Sequence, residues 1–112
     1  MGYELIDELQ QKNRELSAAI KQLRVSGTAL AEAERDYKIT LDKAVLRLKQ
    51  EGEKATLIPL RIFGQPDVAA ARFKRDMAEV VYNANQEAIN ATKLQLKLIE
   101  SQIQREWGQG DK

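Results

Sequence analysis

The side chains that most often carry chemistry are missing from this sequence. It contains no His and no Cys. That removes the commonest general base and metal ligand, the side-chain switch near neutral pH, disulfides and thiolate metal sites. The carboxylates remain, in pairs such as Glu4 and Glu8, Glu32 and Asp36, and Glu34 and Asp36. Paired acids can do acid–base work or hold metals, but a di-metal helical bundle wants a Glu-x-x-His motif. Basic residues four positions on, Lys12 after Glu8 and Lys38 after Glu34, make these acids read as solvated ion-pair faces. There is no glycine-rich phosphate loop and no nucleophile elbow. The expectation is a non-enzymatic protein, with no catalytic residue, metal or cofactor.

Two other clusters have functional readings. Arg61, Arg72, Lys74 and Arg75 gather where a helix is expected to begin, and could meet an anion or a nucleic acid there. Asp67 and Asp76 lie among them, and the net charge is only +1, from 18 basic and 17 acidic residues. Nucleic-acid binding is therefore weakly supported. The second cluster is apolar: Leu60, Ile62 and Phe63, with Arg61 among them, in a stretch expected to be a loop. An apolar loop either caps the core or docks a partner. Trp107, near the other end of the pattern, has the same two readings.

The elements that must carry these residues are helices. Of 112 residues, 43% are hydrophobic, 31% charged and 5% aromatic, with 2 Pro and 6 Gly, which suits long helices better than a turn-rich sandwich. Leu9, Leu16, Leu23, Leu30, Tyr37 and Ala44 recur every seven residues. A second apolar position drifts from Leu5 and Ala19 to Ile20 and later to Leu41 and Leu48. A first helix is expected over residues 3–51, with a kink, break or tolerated glycine at Ser26-Gly27-Thr28. Gly52 ends it as a left-handed C′ residue, and Pro59 bars a normal helix interior in the connector, 52–66.

A second helix is expected over residues 67–107, opened by Gln65-Pro66-Asp67 with either Gln65 or Asp67 as its cap. Residues 108–112 are a polar tail. Its seam reads Ala71, Arg75, Ala78, Tyr82, Asn85, Ile89, Thr92, Leu96, Ile99 and Ile103, in coiled-coil spacing. Polar Asn85 and Thr92 would fix register there. The fold class expected is all-α: a single domain, a long antiparallel helical hairpin of coiled-coil type. Val45, Val80, Val81, Leu94 and Leu98 fall outside one seam, so a homodimer forming a four-helix bundle, or a higher oligomer, is expected. Its oligomer seam is then read as Tyr82, Asn85, Ile89, Thr92, Leu96, Ile99 and Ile103.

No apolar run is long enough to span a membrane, and Met1-Gly2-Tyr3-Glu4-Leu5 has no signal-peptide form. A cytoplasmic location is expected.

Residues 37–107 also carry a family texture. Tyr37-Lys38 is followed by Glu51-Gly52, Thr56-Leu57-Ile58-Pro59, Gly64, Val68-Ala69, Arg72, Ala78-Glu79 and Tyr82. Then come Ile89-Asn90, Lys93, Leu98, Glu100, Ile103 and Arg105-Glu106-Trp107. This pattern resembles small helical proteins from the early or accessory regions of phages and prophages of Gram-positive bacteria. The resemblance covers about two thirds of the chain and its motifs are short. It implies an accessory protein that binds and blocks a host factor, such as a defence or replication enzyme, in the bacterial cytoplasm. The rival readings are a structural or assembly scaffold and a nucleic-acid or nucleotide-binding helical module.

Overall fold

The computed structural model describes residues 2–110, with side chains from 3 to 108. The described chain is helical throughout apart from its turns: α1 (Gly2–Gln50), α2 (Ile58–Arg61), a 3₁₀ turn (Ile62–Gly64) and α3 (Pro66–Gly110). No strand is present among the described residues, and no helix there is long and apolar enough to cross a membrane. The chain divides into two compact units, residues 26–82 and residues 1–25 with 83–112.

Residues 26–82 hold the connector. Gly52 has φ +84°. Its N–H donates to the Lys49 carbonyl at 3.1 Å, and that of Glu53 to the Leu48 carbonyl at 3.0 Å. These are the two bonds of a Schellman stop, which needs a residue free of a Cβ penalty at C′. At the other side, Gln65 is extended (φ −65°, ψ 130°) and its carbonyl accepts the first helical bond from Ala69, at 2.9 Å. Gln65 is thus the cap and Pro66 the first residue of α3, where a missing N–H costs nothing.

Between these caps the connector is more ordered than its single proline predicts. Pro59 lies in the first turn of α2, so the four-residue helix forms without losing a bond. The 3₁₀ turn then brings the chain to Gln65. The pairing of α1 with α3 in this unit is antiparallel. Partners of Gly27, Tyr37 and Arg47 on α3 are Tyr82, Arg75 and Asp67, falling in number as α1 rises. The core is a cluster of Tyr37, Ala44, Leu48, Ile58, Ile62 and Val68, with Leu41, Val45 and Ala71 packed against it. Val45 therefore belongs to this core and is not left for a second copy to cover.

Gly27 neither breaks nor ends α1, which stays helical across Ser26-Gly27-Thr28. A Cβ there would stand 3.4 Å from Tyr82 Cε2, an ordinary contact distance. Ser26 is buried beside it, a seam position rather than a cap.

In the unit of residues 1–25 and 83–112, the buried side chains are Ile89, Leu96 and Ile99, with Thr92 and Ile103 partly buried. From α1, Leu5, Ile6, Leu9, Lys12, Leu16, Ala19 and Leu23 are partly buried. The expected drift to Ile20 is absent, for Ile20 is exposed. The seam keeps a strict three-four spacing because polar Lys12, Ser26 and Thr40 occupy inward or partly buried positions that an apolar count skips. Lys12 can lie there because its methylenes cover apolar surface while its amine reaches Glu15, at 3.0 Å. It pairs with Glu15, not with Glu8 as the i,i+4 rule suggested. Glu15 is held below the usual carboxylate range by the Lys12 hydrogen bond. α3 continues through Gly108 to Gly110, beyond the expected end at residue 107. Asp111 and Lys112 of the expected tail lie outside the described residues.

Candidate docking site at the connector

Alternate sides of the short helical turns have opposite fates. Ile58 and Ile62, four apart, turn inward and are only 6% and 4% exposed. Leu57, Leu60 and Phe63, at three-residue spacing, turn outward. Leu60 is 78% exposed and Phe63 46%. The turn mixes two bonding patterns: the N–H groups of Leu57, Leu60 and Gln65 donate to Lys54, Leu57 and Ile62, three residues back, while those of Ile58, Arg61 and Ile62 donate to Lys54, Leu57 and Ile58, four residues back. The inward pair keeps the four-residue spacing and the outward set the three-residue spacing. Ile62 is thereby removed from the expected docking set: it anchors the turn in the core, and Leu60 and Phe63 remain outside.

Side-chain bonds hold the turn in place. The Arg47 guanidinium grips Asp67 with two N–H groups, 3.1 Å to each carboxylate oxygen, and donates also to Gln65 Oε1 at 3.2 Å. The last turn of α1 is thus tied to the first turn of α3 across the connector. The Arg47 bonds hold the Asp67 carboxyl below the usual range, helped by the Val68 N–H at 3.0 Å. The same pair raises the Arg47 guanidinium. Arg61 Nη1 donates to Glu53 at 3.2 Å, and Gln65 Nε2 to the Arg61 carbonyl at 3.5 Å.

In the basic cluster read from the sequence, two of the arginines are engaged by acids. Arg61 is occupied by Glu53. Arg75 donates to Asp76, with a closest approach of 2.8 Å, and lies 4.5 Å from the centre of the Tyr37 ring. Its guanidinium is raised mainly by that Asp76 bond. Arg72 stands 5.0 Å from the centre of the Phe63 ring, and Lys74 is exposed. No group of acids that could hold a metal occurs among the described residues.

The residues read as an oligomer seam, Tyr82, Asn85, Ile89, Thr92, Leu96, Ile99 and Ile103, are buried or partly buried within a single chain. Thr92 also bonds back to the Ala88 carbonyl at 2.9 Å. Trp107 is 58% exposed and closes no core. The apolar side chains left outside on α3 are Phe73, Met77, Val80, Val81, Leu94 and Leu98. Phe73 and Met77 went unread in the sequence, although their spacing to Val80 is that of a helical face.

No protein-family model matches the chain, and no match is found among curated proteins or among solved structures.

Proposed function

We propose that this chain is a non-catalytic binding protein whose docking element is the connector turn. The observation that carries the reading is the split of that turn: Ile58 and Ile62 fasten it to the core while Leu60 stands 78% exposed. A large apolar side chain held in water by an ordered, doubly capped turn loses little further entropy when a partner covers it. Phe63 and Leu57 extend the same surface. Exposed apolar groups clustered in this way mark interaction sites more often than singly scattered ones do.

The resemblance to phage and prophage accessory proteins supplies the class of partner: a bacterial host protein, blocked by occupation of a surface it needs in the cytoplasm. The test compares wild-type protein with Leu60→Glu and Phe63→Glu variants as bait in host lysate. A partner retained by wild type and lost from both variants, with helix content unchanged by circular dichroism, supports the reading. A partner retained equally by all three removes the connector from it.

A second reading concerns self-association. Phe73, Met77, Val80 and Val81 are exposed on α3 at helical spacing. That face favours a homodimer, as a four-helix bundle in its simplest form. Light scattering coupled to size exclusion tests it: a dimer that Phe73→Glu converts to monomer supports it, and a monomer at all concentrations rejects it. A scaffold would instead grow into large assemblies.

A further inference from the structure

Beside the connector, on the first turns of α3, stands an arginine with no acid to hold it among the described residues. Among the acidic residues close in sequence to the docking turn and the start of α3 are Glu53, Asp67 and Asp76. Each is engaged by a different arginine, namely Arg61, Arg47 and Arg75. Arg72 has no carboxylate partner among the described residues. It is exposed, and it sits over the Phe63 ring, 5.0 Å from its centre. A guanidinium over an aromatic face keeps its N–H groups at the rim, aimed away from the ring and open to an acceptor. The ring restrains the side chain, so less freedom is lost when a partner binds.

We propose that the connector recognises a protein segment in which an aspartate or glutamate lies beside a large apolar side chain. The apolar side chain covers Leu60 and Phe63, and the carboxylate takes two N–H groups of Arg72. This rests on the docking role proposed for the turn, and adds the chemistry of what docks. A guanidinium–carboxylate fork is directional, and it gains strength when apolar contact next to it excludes water. A basic or purely apolar segment would leave Arg72 desolvated against Phe63 without a partner, which costs binding energy. Arg61, already paired with Glu53, does not supply this contact; its role is to hold the turn.

The experiment is selection of a random peptide library on the immobilised full-length chain, with affinities of the enriched peptides measured against variants. Arg72 is exposed, so Arg72→Gln keeps the fold, which circular dichroism checks. The expected result is enrichment of peptides with Asp or Glu within a few residues of Leu, Ile or Phe. Their binding should weaken about tenfold or more in Arg72→Gln, consistent with loss of a charge-assisted bond. It should fall to background in Leu60→Glu. Arg72→Lys, which keeps the charge and loses the fork, should give an intermediate loss. Peptides that need Leu60 but lack acids and ignore Arg72→Gln overturn the carboxylate and leave the docking turn standing. Peptides indifferent to Leu60→Glu and Phe63→Glu overturn both. Failure to enrich any peptide overturns the proposal.

Discussion

Replacing Ile62 and Leu60 by alanine, one at a time, separates the two sides of the connector turn. Ile62 is 4% exposed in a cluster with Tyr37, Ala44, Leu48, Ile58 and Val68. Truncating a buried isoleucine to alanine costs about 2–5 kcal/mol, as lost transfer energy plus the cavity left behind. The cluster is small and its edges, at Leu41, Val45 and Ala71, are only partly buried, so neighbours can relax into the space. The expected loss is therefore near the lower end, about 2–3 kcal/mol. Against a typical domain stability of about 5–15 kcal/mol, that is a large fraction. Leu60 has lost only about a fifth of its surface to the protein. A fully buried leucine gains about 1.5–3 kcal/mol, so Leu60→Ala should cost about 0.5 kcal/mol or less. Urea unfolding followed by far-ultraviolet circular dichroism, at low protein concentration, gives both numbers. Equal costs at the two positions would refute the two-sided turn. It would mean that Leu60 is covered in solution, and the docking surface would no longer exist as described.

Gly27→Ala should stabilise the protein by about 1 kcal/mol, the helix preference of alanine, since its Cβ meets Tyr82 at an ordinary contact distance of 3.4 Å; a lower melting temperature would show that Tyr82 needs the gap. Gly52→Ala should cost about 1–2 kcal/mol from backbone strain alone, because nothing lies within 4 Å of the added carbon, and Gly52→Asn should cost less. Asp67→Asn removes a carboxylate whose folded pKa lies below its ordinary 3.8. Its contribution is present above that ordinary value and is lost as pH falls through the folded value, so wild type and variant should converge in stability on acidification below about pH 4. A gap that stays constant down to strong acid would show that the Arg47 pair does not stabilise the fold.

The helices and their seam were legible because they depend on spacing alone. Ile89, Leu96 and Ile99 are buried where the three-four pattern places them, and Gly52 and Pro66 stop and start helices by local geometry. Reading failed where a polar residue took an apolar position. Lys12, Ser26 and Thr40 hid the regularity of the α1 seam and made it look like drift toward Ile20. Val68, fully buried three residues before Ala71, was missed although it continues the same spacing. In the connector, composition announced an apolar segment but not which side chains turn inward. That choice belongs to a single α-turn followed by a 3₁₀ turn between Lys54 and Gln65, too short for any sequence period to reveal. The Arg47–Asp67 pair was equally hidden, since its partners are 20 residues apart and each has acids or bases closer in sequence.

These failures bear on where function can lie. Along the helices, a large apolar residue that misses the seam is common: Val25, Ile39, Leu46 and Leu94 are all exposed without forming an anchored unit. Single exposed residues of this kind are ordinary on protein surfaces and carry no message. The connector differs in that exposure there is built. Two caps fix its ends, Arg47 ties those ends together, and two isoleucines are committed to the core so that three other apolar side chains face out. A turn whose sole duty was to reverse the chain could do so with polar residues and fewer bonds. The cost of keeping Leu60 in water is therefore better explained by a partner than by folding. That inference predicts an asymmetry among surface variants: Leu60→Ser should raise solubility and leave stability intact, yet abolish binding, whereas Leu94→Ser on α3 should raise solubility without touching it. If the two variants proved alike in binding, the connector would be no more than a cap to the helix pair.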